Sequence, residues 1–89
     1  MKLEEGAATD VVKRLRRIEG QVSGIARMIE EGRDCADVIT QLAAASKALD
    51  RAGFKLIATG MRQCMTPVGK GQPEPMSAEQ MEKLFLSLA

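Results

Sequence analysis

The stretch CADVITQLAAASKALDRAGFKLIATGMRQC, residues 35–64, decides the fold of this chain. It holds no proline, and Ile39, Leu42, Leu49 and Leu56 recur along one helical face, with Ser46, Gly53 and Gly60 at the intervening positions. Spacings of three, four and seven mark helix-on-helix packing. One long helix is therefore predicted over 35–65, with Asp34 as its N-cap and Pro67 ending it. Its centre (Ala43, Ala44, Ala45, Ser46 and Ala48) is slim and suits a close antiparallel crossing. Cys35 and Cys64 lie 29 positions apart on this helix. At a rise of ~1.5 Å per residue they are separated by roughly 43 Å. A disulfide needs Cα atoms within about 7 Å, so the pair cannot close within one straight helix. Two copies packed antiparallel about a midpoint between Leu49 and Asp50 would set Cys35 of one against Cys64 of the other.

Upstream, Val11, Leu15, Ile18, Val22, Ile25 and Ile29 alternate spacings of four and three, predicting a helix over 9–31. Thr9 or Asp10 can cap its start, and Gly32 suits a left-handed stop. Gly20 and Gly24 lie one turn apart inside it, each costing ~1 kcal/mol against Ala. Simple tolerance and close approach by a neighbouring helix both account for them. Downstream, three prolines and two glycines between Pro67 and Pro75 read as a linker over 67–75. A last helix over 78–88 opens with a capping-box pattern at Ser77 and Gln80, with Met76 and Met81 placed for a hydrophobic staple. Met81, Leu84, Phe85 and Leu88 form its apolar face. The expected protomer is all-α, one domain over 1–89 with its middle helix longest.

With 89 residues, a single core is only marginally stabilising, and Phe54 and Phe85 are the only aromatic residues. Association would help to complete such a core. The net charge of +1 gives no global basic signature, so any nucleic-acid contact must come from a local patch repeated by symmetry. No apolar run approaches the ~20 residues of a membrane span, and the start, MKLEE, lacks the apolar stretch of a signal peptide. A reducing cytoplasmic location is expected, in which two cysteines serve as reactive or metal-binding groups rather than as a structural staple.

The chain has no histidine, which removes the usual general base and the commonest metal ligand. Cys35 falls in the first turn of the long helix, where unpaired backbone N–H groups favour an anion, so it is expected to attack and Cys64 to resolve. Both residues as ordinary small buried apolar groups is the bland alternative. Two chemistries suit a Cys–Cys pair between subunits. One is sulfur redox, in which a persulfide or other oxidant adds to one thiol and the second displaces it. The other is Cu(I) held by the two thiolates, with Met61 able to add a thioether. A tetrahedral zinc site would lack two protein ligands. No resident cofactor or other metal is expected, and without a base or a glycine-rich phosphate loop an enzyme is not.

Lys13, Arg14, Arg16 and Arg17 cluster on the first helix, and Lys47, Arg51 and Lys55 repeat at four-residue spacing on the second. A solvated face with local pairing such as Lys47 to Asp50 is one reading, and a phosphate-contacting surface is the other. Near-absence of aromatics argues against stacking on single strands, leaving duplex DNA read partly through backbone and shape.

The runs RLRRIEGQV (14–22), GIARMIEEGRDC (24–35) and VITQL (38–42), continuing through 43–51 to Arg62-Gln-Cys64, closely resemble the CsoR/RcnR family of bacterial repressors. That resemblance implies an antiparallel two-helix core dimer, a disc-shaped dimer-of-dimers tetramer, and binding to double-stranded operator DNA. It also implies Arg14 and Arg51 as leading DNA contacts, with Arg17, Lys13 and Lys47 secondary. Copper sensors of the family look for a His four residues before the second Cys; Gly60 stands there, while Cys35 and Cys64 keep their places. The two-cysteine pattern is similar to the CstR branch, which senses persulfides and represses sulfide-detoxification genes. The formaldehyde-sensing FrmR branch, which relies on Pro at position two, is less similar, since Lys2 stands here.

Overall fold

The computed structural model describes residues 3–64 and 77–89, with side chains described to Arg62 in the first stretch. Three helices follow in order: α1 (Glu5–Glu30), α2 (Cys35–Cys64) and α3 (Ala78–Leu88). The predicted linker 67–75, the stop at Pro67 and the Met76 half of the staple lie outside the described residues.

Local hydrogen bonding sets the ends. At the close of α1, Gly32 adopts φ 71°, its N–H donates to Ile29 O at 3.1 Å, and the Arg33 N–H donates to Met28 O at 2.9 Å. This pair of bonds is the Schellman stop, which uses a left-handed residue without a Cβ. Asp34 then begins α2, its Oδ1 accepting from the Ala36 N–H at 3.1 Å. Ser77 and Gln80 make a reciprocal capping box at α3. The start of α1 differs from the expected one. The helix begins at Glu5 after Glu4, whose side chain makes no cap bond, so neither Thr9 nor Asp10 caps it. Thr9 instead sits inside the helix, its hydroxyl donating to Glu5 O at 3.0 Å, as an interior threonine can. The Asp10 carboxylate is engaged by side chains described below.

Helix α1 packs along α2, and α3 packs on α2 alone. Asp10 meets Lys55, while Arg14, Arg17 and Gln21 share a groove with Arg51 and Ala48, so α1 and α2 run antiparallel. The buried apolar set is Val11, Ile18 and Ile25 from α1, Ala45, Ala52 and Ile57 from α2, and Met81 from α3. On α3, Phe85 meets Phe54 with ring centroids 5.6 Å apart, and Leu88 lies over Gly53. A Cβ at Gly53 would stand 3.0 Å from a Leu88 methyl, so the missing side chain sets how closely α3 sits. Gly20 and Gly24 have nothing within 4 Å of such a Cβ, so no described part of the protomer explains them by close approach.

Half of the α1 seam and all of the predicted α2 seam are left uncovered. On α1, residues spaced by seven are buried, whereas the alternate Leu15, Val22 and Ile29 are exposed. On α2 the whole predicted seam of Ile39, Leu42, Leu49 and Leu56 remains 39–58% exposed. The helices form a slab with principal extents of 56 × 24 × 13 Å. Its radius of gyration is 17.0 Å. A compact domain of this length would have about 12 Å.

Candidate nucleic-acid interface and thiol sites

The basic residues come from two helices that the antiparallel hairpin sets side by side. Arg14, Arg17 and Gln21 of α1 and Arg51 of α2 line one open groove of about 160 Å³, floored by Ile18 and Ala48. The small Ala48 side chain leaves room for the groove, and buried Ile18 anchors α1 beneath it. Arg17 and Arg51 are exposed, and Arg14 is half-exposed. Lys13 and Lys47 are exposed on the same two helices but outside the groove lining. Among the described ion pairs none joins Lys47 to Asp50, but Arg14 with Asp10 and Arg16 with Glu19 make local pairs of the kind a solvated face carries.

One acidic residue enters the cluster. The Asp10 Oδ2 accepts from Lys55 Nζ at 2.6 Å and from Arg14 Nε at 3.1 Å. The hydrogen bonds from Lys55 and then from Arg14 hold its carboxyl below its ordinary value of 3.8. Sequence reasoning did not find this arrangement. The Asp10–Arg14 spacing of one helical turn was a readable signal, but the Lys55 contact depends on the register of α1 against α2. Gln21, a groove-lining amide, was also missed.

The two cysteines are not brought together within the protomer. Cys35 is the first residue of α2 and is exposed; Cys64 is the last residue of that helix within the described stretch. A straight helix of that length keeps them roughly 43 Å apart. Asp34 and Asp37 flank Cys35 in sequence, and Asp34 spends one carboxylate oxygen on the cap. Gly60 is buried one turn before Cys64. No group of three or more His, Cys, Asp or Glu among the described residues is placed to hold a metal ion. No helix among the described residues is long and apolar enough to cross a membrane.

A family model described as metal-sensitive transcriptional repressor matches residues 7–87. The copper-sensing transcriptional repressor RicR of Mycobacterium tuberculosis is 50% identical over 62 residues, 68% of this chain and 65% of RicR. The copper-sensing transcriptional repressor CsoR of Bacillus subtilis is 33% identical over 75 residues, covering 84% of this chain and 74% of its own. CsoR of Mycobacterium tuberculosis is 31% identical over 64 residues, 68% of this chain and 54% of that protein. The chain thus spans just under two thirds of RicR and a little over half of the mycobacterial CsoR. These relatives are repressors rather than enzymes, and with a match spanning nearly all of its length the chain belongs to the metal-sensitive transcriptional repressor family.

Proposed function

We propose that this repressor binds operator DNA through the Arg14–Arg17–Arg51 groove and releases it when reactive sulfur crosslinks Cys35 to Cys64 of a facing subunit. The observation that carries the reading is that both cysteines lie on one unbroken helix, α2, with Cys35 at its first residue and Cys64 29 positions along it, in a chain with no histidine. Symmetric ends of an antiparallel pair of such helices meet, so two bridges form per dimer. The exposed seam of α2 supplies the surface for that pairing. The setting is the cytoplasm, where operator DNA is found.

The sulfur chemistry balances without an added oxidant. The Cys35 thiolate attacks the outer sulfur of an organic persulfide, releasing the organic thiol and leaving a persulfide on Cys35. Cys64 of the facing subunit then attacks the Cys35 sulfur and expels hydrosulfide, leaving a disulfide. A second persulfide can first convert Cys64 to its own persulfide with release of organic thiol. The Cys35 persulfide anion then attacks the inner Cys64 sulfur and expels hydrosulfide, leaving a trisulfide. A third persulfide adds one more sulfur in the same way to give a tetrasulfide. A coupling of ~1–3 kcal/mol per crosslink, acting at several sites, is enough to shift repressor off DNA.

Cu(I) is the second reading, because the relatives are named copper-sensing. Two thiolates suit Cu(I), but Gly60 offers no ligand where the copper branch places imidazole. Treatment with an organic persulfide, followed by non-reducing mass spectrometry and operator binding, separates the readings. The expected result is a dimer-mass species and lost DNA affinity, both abolished by Cys35→Ser. Full DNA binding after persulfide, together with release by one equivalent of Cu(I), would overturn the sulfur reading.

A further inference from the structure

Among the described ion pairs, that between Asp10 and Lys55 alone joins two helices; the others lie within one helical turn. It stands at the edge of the basic groove, because Arg14 both lines that groove and donates to the same Asp10 oxygen. We propose that Asp10 is a built-in competitor of DNA phosphate, holding Arg14 and Lys55 in the free protein and yielding them when a duplex docks. The proposal rests on the reading of this face as the DNA-binding one.

Four features support it. The side chains of Asp10, Arg14 and Lys55 are 41%, 41% and 37% exposed, so an incoming phosphate can reach the same donors. A carboxylate and a phosphate oxygen make the same kind of charge-assisted bond to guanidinium and ammonium, so one can replace the other without rearranging the helices. Exposed ion pairs hold weakly, so the exchange is within reach. The carboxyl is held below its ordinary value by both cations, so it remains an anion wherever the repressor works. Asp10 would thus lower affinity for any duplex, leaving the remaining cations to favour sites whose shape suits them.

The test uses the full chain and a fluorescein-labelled duplex of mixed sequence, with binding followed by anisotropy across a salt series. In the parent complex the displaced Asp10 carboxylate takes a cation back from solution while the phosphates release theirs, so removing its charge steepens the slope of log affinity against log salt by up to about 0.9. Between 50 and 200 mM salt that is a further change of up to about 3.5-fold. Asp10→Asn is expected to bind more tightly at low salt and with a steeper slope, and Asp10→Ser to do the same. Arg51→Ala is run beside them. If Arg51→Ala weakens binding while both Asp10 variants keep the parent slope or flatten it, the competitor role is overturned and the DNA face stands. If Arg51→Ala binds as the parent does, the DNA face itself is wrong and the proposal falls with it.

Discussion

Shortening Leu49 tests the assembly on which the thiol chemistry depends. Leu49 sits at the centre of α2, beside the midpoint of the proposed antiparallel crossing, and is 52% exposed in the protomer. Leu→Ala removes three carbons, worth ~2.4 kcal/mol in full burial at ~0.8 kcal/mol per carbon. About half of that, ~1.2 kcal/mol, is already realised within the protomer, and about half remains for a second copy to cover. Symmetry doubles the second half, so Leu49→Ala is expected to weaken the dimer by ~2.4 kcal/mol, roughly fiftyfold in dissociation constant. Sedimentation equilibrium over a dilution series measures this directly, with circular dichroism confirming that the helices persist. A Leu49→Ala protein that remains helical and associates as tightly as the parent would refute the crossing. The route from Cys35 to a facing Cys64 would be lost with it.

Other outcomes follow from the same geometry. Ser77→Ala removes the hydroxyl that accepts from the Gln80 N–H, and is expected to destabilise α3 by ~1 kcal/mol, read as faster amide exchange over residues 78–88 with α1 unchanged. Asp10 gives an acid dependence of known sign: its carboxyl is lowered by Lys55 and Arg14, so its pairing stabilises above the ordinary value of 3.8 and is lost as pH falls through the lower folded value. The contribution of this residue to melting temperature should therefore be constant between about pH 5 and 8, and the fall in acid should be gentler for Asp10→Asn than for the parent; identical acid profiles would contradict the pairing.

Much of the fold could be read without coordinates, because helix ends are coded by neighbours in sequence. Gly32 and the Asp34 cap end one helix and begin the next through bonds spanning five residues or fewer, and the Ser77–Gln80 box is equally local. The start of α1 was misplaced because Thr9 and Asp10 are good capping residues in isolation, yet a preceding turn formed without any side-chain cap. Arg14, Arg17 and Arg51 were identified as a set, but their convergence on one groove was not readable from spacing.

What the chain alone determined is the set of helices, the Gly32, Asp34 and Ser77 boundaries and the wide separation of Cys35 and Cys64 along one helix. Each follows from backbone bonds and rise per residue, which do not depend on distant parts of the molecule. Only the tertiary structure decided which half of the α1 seam is buried, that the α2 seam stays open, and that Asp10 reaches Lys55. Those outcomes depend on how far one helix slides and turns against another, and a heptad pattern allows more than one answer.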